Sequence, residues 1–210
     1  MARDDWYRNT TWSPEIEAAF FAKLHRAREK AQYLRIQAIY LTDNNRPAEA
    51  LNLYEQYFAT GDNREHAMAY ADKAKAHLLL GELEAAISCY ERALEVERER
   101  PNRLTRSSLD FPYLIATRRI RDLYARALEV LGTTRLGLVF PIDRYIANGV
   151  RALVLQEQGR GSEARPFAEA ALTASTETHS GFRYHQHLGL VPSSDDEFGD
   201  RLRAIVATVN

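Results

Sequence analysis

A paired helical pattern between His66 and Pro101, HAMAYADKAKAHLLLGELEAAISCYERALEVERERP, constrains this chain more than any other feature. Before Gly81 stand Tyr70, Ala74, His77 and Leu78; after it stand Leu83, Ala86, Ile87, Tyr90, Ala93 and Leu94. Both sets follow the three- and four-residue steps of one helix face. Gly81 can take a positive φ and stop the first helix at little cost. Ala74 and Ala86 are small where two helices must cross closely. The stretch therefore predicts a helix–turn–helix hairpin. A lone hairpin cannot bury both of its faces, so it calls for neighbours of its own kind.

Those neighbours are present, and the pattern has a known counterpart. The stretch resembles a tetratricopeptide repeat, a unit of about 34 residues made of a helix, a tight turn and a second helix. The matching residues are Ala74, Gly81, Ala86, Tyr90 and Ala93-Leu94, with Pro101 closing the unit. Ala50, Tyr54 and Phe58 stand where Ala86, Tyr90 and Leu94 stand later, and YARALEV (124–130) repeats YERALEV (90–96). Ala152, Gly159, Ala164, Ala168 and Ala171-Leu172 give the pattern again. The expected fold is all-α, an α-solenoid of helix-turn-helix (tetratricopeptide-like) repeats with a C-terminal capping helix, in one domain over residues 1–210. Repeats are expected at about 31–64, 67–101 and 142–178, with a degenerate one at 101–132 whose first helix is lost or remodelled. A loop and cap fill 179–210.

Other stretches refine this outline. Ser13-Pro14-Glu15 marks a helix start. The stripe Ile16, Phe20, Leu24, Ala27, Ala31, Leu34, Ala38, Leu41 then predicts one long helix over about 14–42, without a Gly or Pro to break it. Asp43-Asn44-Asn45 replaces glycine at the first hairpin turn, because Asn tolerates the left-handed region. Two prolines and a Ser pair make 101–112 a loop or a broken helix. Leu138-Val139-Phe140 is expected to tuck against neighbouring helices, and Pro166 to lie in the first turn of a helix beginning at Ser162.

Composition excludes more than it suggests. A formal net charge of −1 over 210 residues gives no general attraction to nucleic acid or membrane. The single cysteine, Cys89, excludes an internal disulfide and suits a reducing compartment. No apolar h-region opens the chain and no run approaches the length of a membrane helix, so a cytoplasmic protein is expected. Phosphate-loop, nucleophile-elbow and zinc-protease motifs are missing, and no motif calls for a cofactor or a catalytic residue. His179, His185 and His187 fall close together before Asp195, Asp196 and Glu197. They suit either a metal or, as the favoured reading, a structural loop whose Phe182, Tyr184, Leu188 and Leu190 pack on the last repeat.

The resemblance implies a binding surface rather than an active site. Arrays of this family hold extended peptides or helices in a concave groove lined by the first helix of each repeat. Carried onto this chain, that groove takes Arg35, Ile39, Met68, Asp72, Lys75 and Leu78, and in the last repeat Ile146, Gly149 and Leu153. In relatives that serve as chaperone adaptors, Lys and Asn clamp a terminal carboxylate. The matching positions here carry Arg35, Ile39 and Asp72, which argues against that role. A second candidate surface is arginine-rich, with Arg103, Arg106, Arg118, Arg119 and Arg121 available to an acidic partner or a phosphate backbone. The expectation is a non-catalytic scaffold or adaptor for another protein. The alternative is a regulatory module binding nucleic acid or an acidic partner through the arginines, with nucleic acid the less favoured of the two.

Overall fold

A computed structural model describes residues 5–100, 102–134 and 137–208. Among them it has ten α-helices and no strand. The chain groups into two compact units, the first ending at Ser107 and the second beginning at Ser108. The expectation that Pro101 closes a repeat lies outside the described residues.

The first unit holds α1 (Pro14–Arg26), α2 (Lys30–Asp43), α3 (Pro47–Ala59), α4 (His66–Leu79) and α5 (Leu83–Glu99). The second is built from α6 (Ser107–Thr117), a short 3₁₀ turn (Arg121–Leu123), α7 (Tyr124–Thr133), α8 (Pro141–Glu157), α9 (Gly161–Ser175) and α10 (Glu197–Ala207). The most extensive helix contacts are α2 with α3, α4 with α5, and α8 with α9, each joined by a short turn. This packing of adjacent helices is consistent with a helical repeat. Ala38, Ala50, Ala74, Ala86, Ala152 and Ala164 are all fully buried, as close helix crossings require.

The hairpin turns share one geometry. Asn45, Gly81 and Gly159 have φ of 57°, 75° and 74°. The next amide reaches back to a carbonyl in the last helical turn: Arg46 to Leu41 at 2.9 Å, Glu82 to His77 at 3.0 Å, Arg160 to Leu155 at 2.9 Å. This is the Schellman closure of a helix C-terminus. It appears once more, where it was not expected. Arg119 has φ 55° and the Ile120 amide donates to the Ile115 carbonyl at 3.0 Å. A helix, α6, therefore lies over part of the stretch expected to be a loop or a broken helix. Leu109, Phe111, Leu114, Ile115 and Ala116 are buried on it. Such all-round burial erases the amphipathic stripe by which a helix is read, and Pro112 sits inside it.

The expected long helix over 14–42 is two helices. Ala27 is extended (φ −77°, ψ 145°), and α2 restarts at Lys30. The run His25-Arg26-Ala27-Arg28-Glu29-Lys30 has no large apolar side chain to hold a turn against the core. Lys23, His25 and Arg26 suit a helix C-terminus. The break lets α1 return over the N-terminal segment. Trp6 packs on Phe20 and Tyr33, with ring centroids 5.4 and 5.0 Å apart, and Trp12 on Phe20 at 5.5 Å. The fully buried Gln37 amide ties this segment down, accepting from the Asn9 amide at 2.9 Å and donating to its carbonyl at 2.7 Å.

In the second unit α10 packs on α9 and α8. Asp196 accepts from the Gly199 amide at 2.8 Å, and Phe198, Leu202 and Ile205 are buried against α8 and α9. Pro166 lies in the second turn of α9 rather than the first, because that helix begins at Gly161.

Candidate functional site

The α2–α4 surface is the first candidate. Arg35 and Asp72 do come together, but they bind each other: Arg35 Nε donates to Asp72 Oδ2 at 3.0 Å, and a second guanidinium nitrogen stands 2.8 Å from it. Their side chains are only 15% and 16% exposed. Arg35 also reaches Glu65 at 3.2 Å, a partner with no local signal in the sequence. Burial pushes the Asp72 carboxyl up, against the pull of Arg35 and Lys75. The pair therefore joins consecutive hairpins instead of waiting for a ligand. Lys75 is exposed, with its ammonium 3.8 Å from Asp72. Ile39, Met68 and Leu78 are half-buried. Met68 lines a narrow cleft with Val96, Arg100 and Arg103.

A polar pocket of about 170 Å³ opens at the N-terminal end of α2. Glu29, Asp62 and Glu65 supply its acids, Arg64 and Arg103 its bases. Arg64 pairs with Asp62 at 2.6 Å and Glu29 at 2.5 Å. The Arg64 guanidinium, by its hydrogen bonds, holds the Asp62 carboxyl down at about 2. Tyr57 lies beneath, its hydroxyl buried near the Glu65 backbone.

The arginines proposed as a second surface divide between the units. Arg103 and Arg106 lie in the loop after α5, where Arg103 donates to the Arg64 carbonyl. In the second unit Arg121 pairs with Glu157 at 2.9 Å, and Arg119 stands 3.7 Å from the same carboxylate. Arg201, which sequence reasoning did not include, also lies 3.7 Å from Glu157 and donates to the Ala116 carbonyl at 3.2 Å. Arg118 is exposed. Two of the five arginines, Arg119 and Arg121, thus meet Glu157, a residue far from them in sequence.

Comparison with protein-family models, curated proteins and solved structures finds no match.

In the last hairpin the expected groove position Gly149 is filled from within the chain. A Cβ there would lie 2.4 Å from the Phe198 ring, so α10 occupies that face of α8. The apolar loops differ from expectation too. Val139 is 52% exposed, and Phe182, Tyr184 and Leu188 are exposed instead of packed on the last repeat. No group of three or more potential metal ligands converges among the described residues, the histidines of 179–187 included. Cys89 is buried, and burial pushes its thiol up, away from the reactive thiolate. No helix of the described residues is long and apolar enough to cross a membrane.

Proposed function

We propose that this chain is a non-catalytic scaffold of tetratricopeptide-like hairpins that holds a peptide or helix of a partner protein along the first helices of its first unit. The observation that carries the reading is the repeated hairpin, closed at Asn45, Gly81 and Gly159 by the same left-handed turn and crossed at buried alanines. Modules of this kind present successive first helices side by side. With Arg35 and Asp72 committed to each other, recognition falls to Ile39, Met68, Lys75 and Leu78. Half-buried apolar anchors beside an exposed cation fit a partner segment with apolar side chains and an acidic group. The arginine-based alternative has less to support it, since Arg119 and Arg121 are drawn to Glu157.

The test is quantitative binding to a partner captured by affinity purification. Lys75→Glu and Ile39→Ala, each shown to be folded, are expected to weaken binding by about 1 kcal/mol or more. Undiminished binding by both variants places the site elsewhere.

A further inference from the structure

The largest exposed apolar side chains are confined to a few turns. Leu79 and Leu80 (50% and 43% exposed) end α4. Val139, Phe182, Tyr184 and Leu188 lie in the loops before α8 and after α9. Those loops form one surface. Phe140 stacks on Phe182 with centroids 5.3 Å apart, and the Ile142 amide donates to the Gly189 carbonyl at 2.9 Å.

The 179–189 loop is built, not loose. Ser180, itself buried, donates its hydroxyl to the His185 carbonyl and its amide to the Gln186 carbonyl, both at 2.7 Å. Leu188 closes back on His185 at 3.0 Å. Its backbone is spent internally while Phe182, Tyr184 (82% exposed) and Leu188 point into solvent. Apolar side chains held outward in this way mark interaction surfaces.

Charge says what covers them. From His179 to Ser194 there is no acidic residue, and Arg183, lying by the Tyr184 ring at 5.4 Å, has no carboxylate partner among the described residues. The α4–α5 turn has the opposite character: Glu82, which faces His77 at 2.6 Å, and Glu84 follow its exposed leucines. Glu84 is exposed and has no cationic partner among the described residues. One patch is aromatic and basic, the other aliphatic and acidic, and every copy carries both.

We propose that the 179–189 loop of one copy docks on the Leu79–Glu84 turn of a second copy. Tyr184 and Leu188 cover Leu79 and Leu80, and Arg183 meets Glu84. The proposed contact is head-to-tail: a copy docked through its loop keeps its own turn for the next. None of the residues substituted below is one of those assigned to the partner groove, although Leu79 lies one helical turn beyond Lys75 on α4.

Sedimentation velocity across the micromolar range tests this with two variants. Tyr184→Ser with Leu188→Ser removes the loop patch; Leu79→Gln with Leu80→Gln removes the turn patch. The substituted side chains are all exposed, and circular dichroism checks the fold. Wild-type protein is expected to form species that grow with concentration and shrink with added salt. Each variant alone should self-associate at least about tenfold more weakly. A mixture of the two variants should form a one-to-one dimer and nothing larger, since only one complementary pair of patches remains. A wild-type monomer throughout overturns the proposal, as does a mixture that does not pair. Binding of the loop to anionic vesicles without self-association also overturns it, and assigns the loop to a lipid surface.

Discussion

Arg35 and Asp72 stand 37 positions apart in the chain and close a 2.8 Å ion pair between α2 and α4. Both side chains are largely out of water, so neither charge is tolerated alone. Asp72→Ala leaves the guanidinium half-satisfied by Glu65 and should cost about 3 kcal/mol in urea unfolding. Replacing the pair together, Arg35→Met with Asp72→Leu, should recover most of that loss. If the single variant is as stable as wild type, the pair is not a join between the hairpins.

Alkaline pH should loosen the fold through its buried tyrosines. Burial, with Glu65 and Asp62 nearby, pushes Tyr57 up to about 12, and burial beside Asp196 does the same for Tyr145. The ordinary value, which applies unfolded, is 10. A group raised in the folded state contributes stability that is complete below its unfolded value and is lost as pH rises through the folded one. Stability should therefore fall between pH 10 and about 12. Tyr57→Phe, which removes a hydroxyl with no well-formed hydrogen bond among the described residues, should reduce the fall and cost little near neutrality. Urea unfolding as a function of pH measures both effects.

Gly149 and Phe198 fit only without a Cβ between them. Gly149→Ala places that carbon 2.4 Å from the ring and should destabilise the second unit by about 2 kcal/mol. Adding Phe198→Val should relieve the clash and return part of the loss. Thermal unfolding of the single and double variants decides it. An unaltered Tm for Gly149→Ala would mean that α10 does not seat on α8.

Arg119 occupies the left-handed position that glycine or asparagine takes in the other hairpin turns. A long L side chain there costs about 1 kcal/mol, while a β-branched one costs more. Arg119→Asn should hold or raise the melting temperature, and Arg119→Val should lower it clearly. Equal melting temperatures for the two would contradict the left-handed turn.

Local signals carried much of the architecture. Ser13-Pro14 and Asp196 announce helix starts, Gly81 and Gly159 announce turns, and alanine at crossing positions announces hairpins. Each depends on interactions within a few residues, so the sequence alone suffices to read them. The break at Ala27 and the helix α6 were harder. At the first, an alanine continues an apolar stripe that the surrounding charges cannot anchor. At the second, burial on every side removes the periodicity.

The candidate groove shows the other limit. Its residue types were legible, but not their states. Arg35 reads as an available cation until folding brings Asp72 and Glu65 beside it; the arginines near position 120 read as a basic patch until Glu157 arrives from α8. Gly149 reads as a groove residue until Phe198 fills it. Sequence alone determined that helical hairpins would form, because turn, cap and periodicity are short-range chemistry. Only the tertiary structure decided which side chains stay free to bind, because charge pairing and burial depend on neighbours tens of residues away.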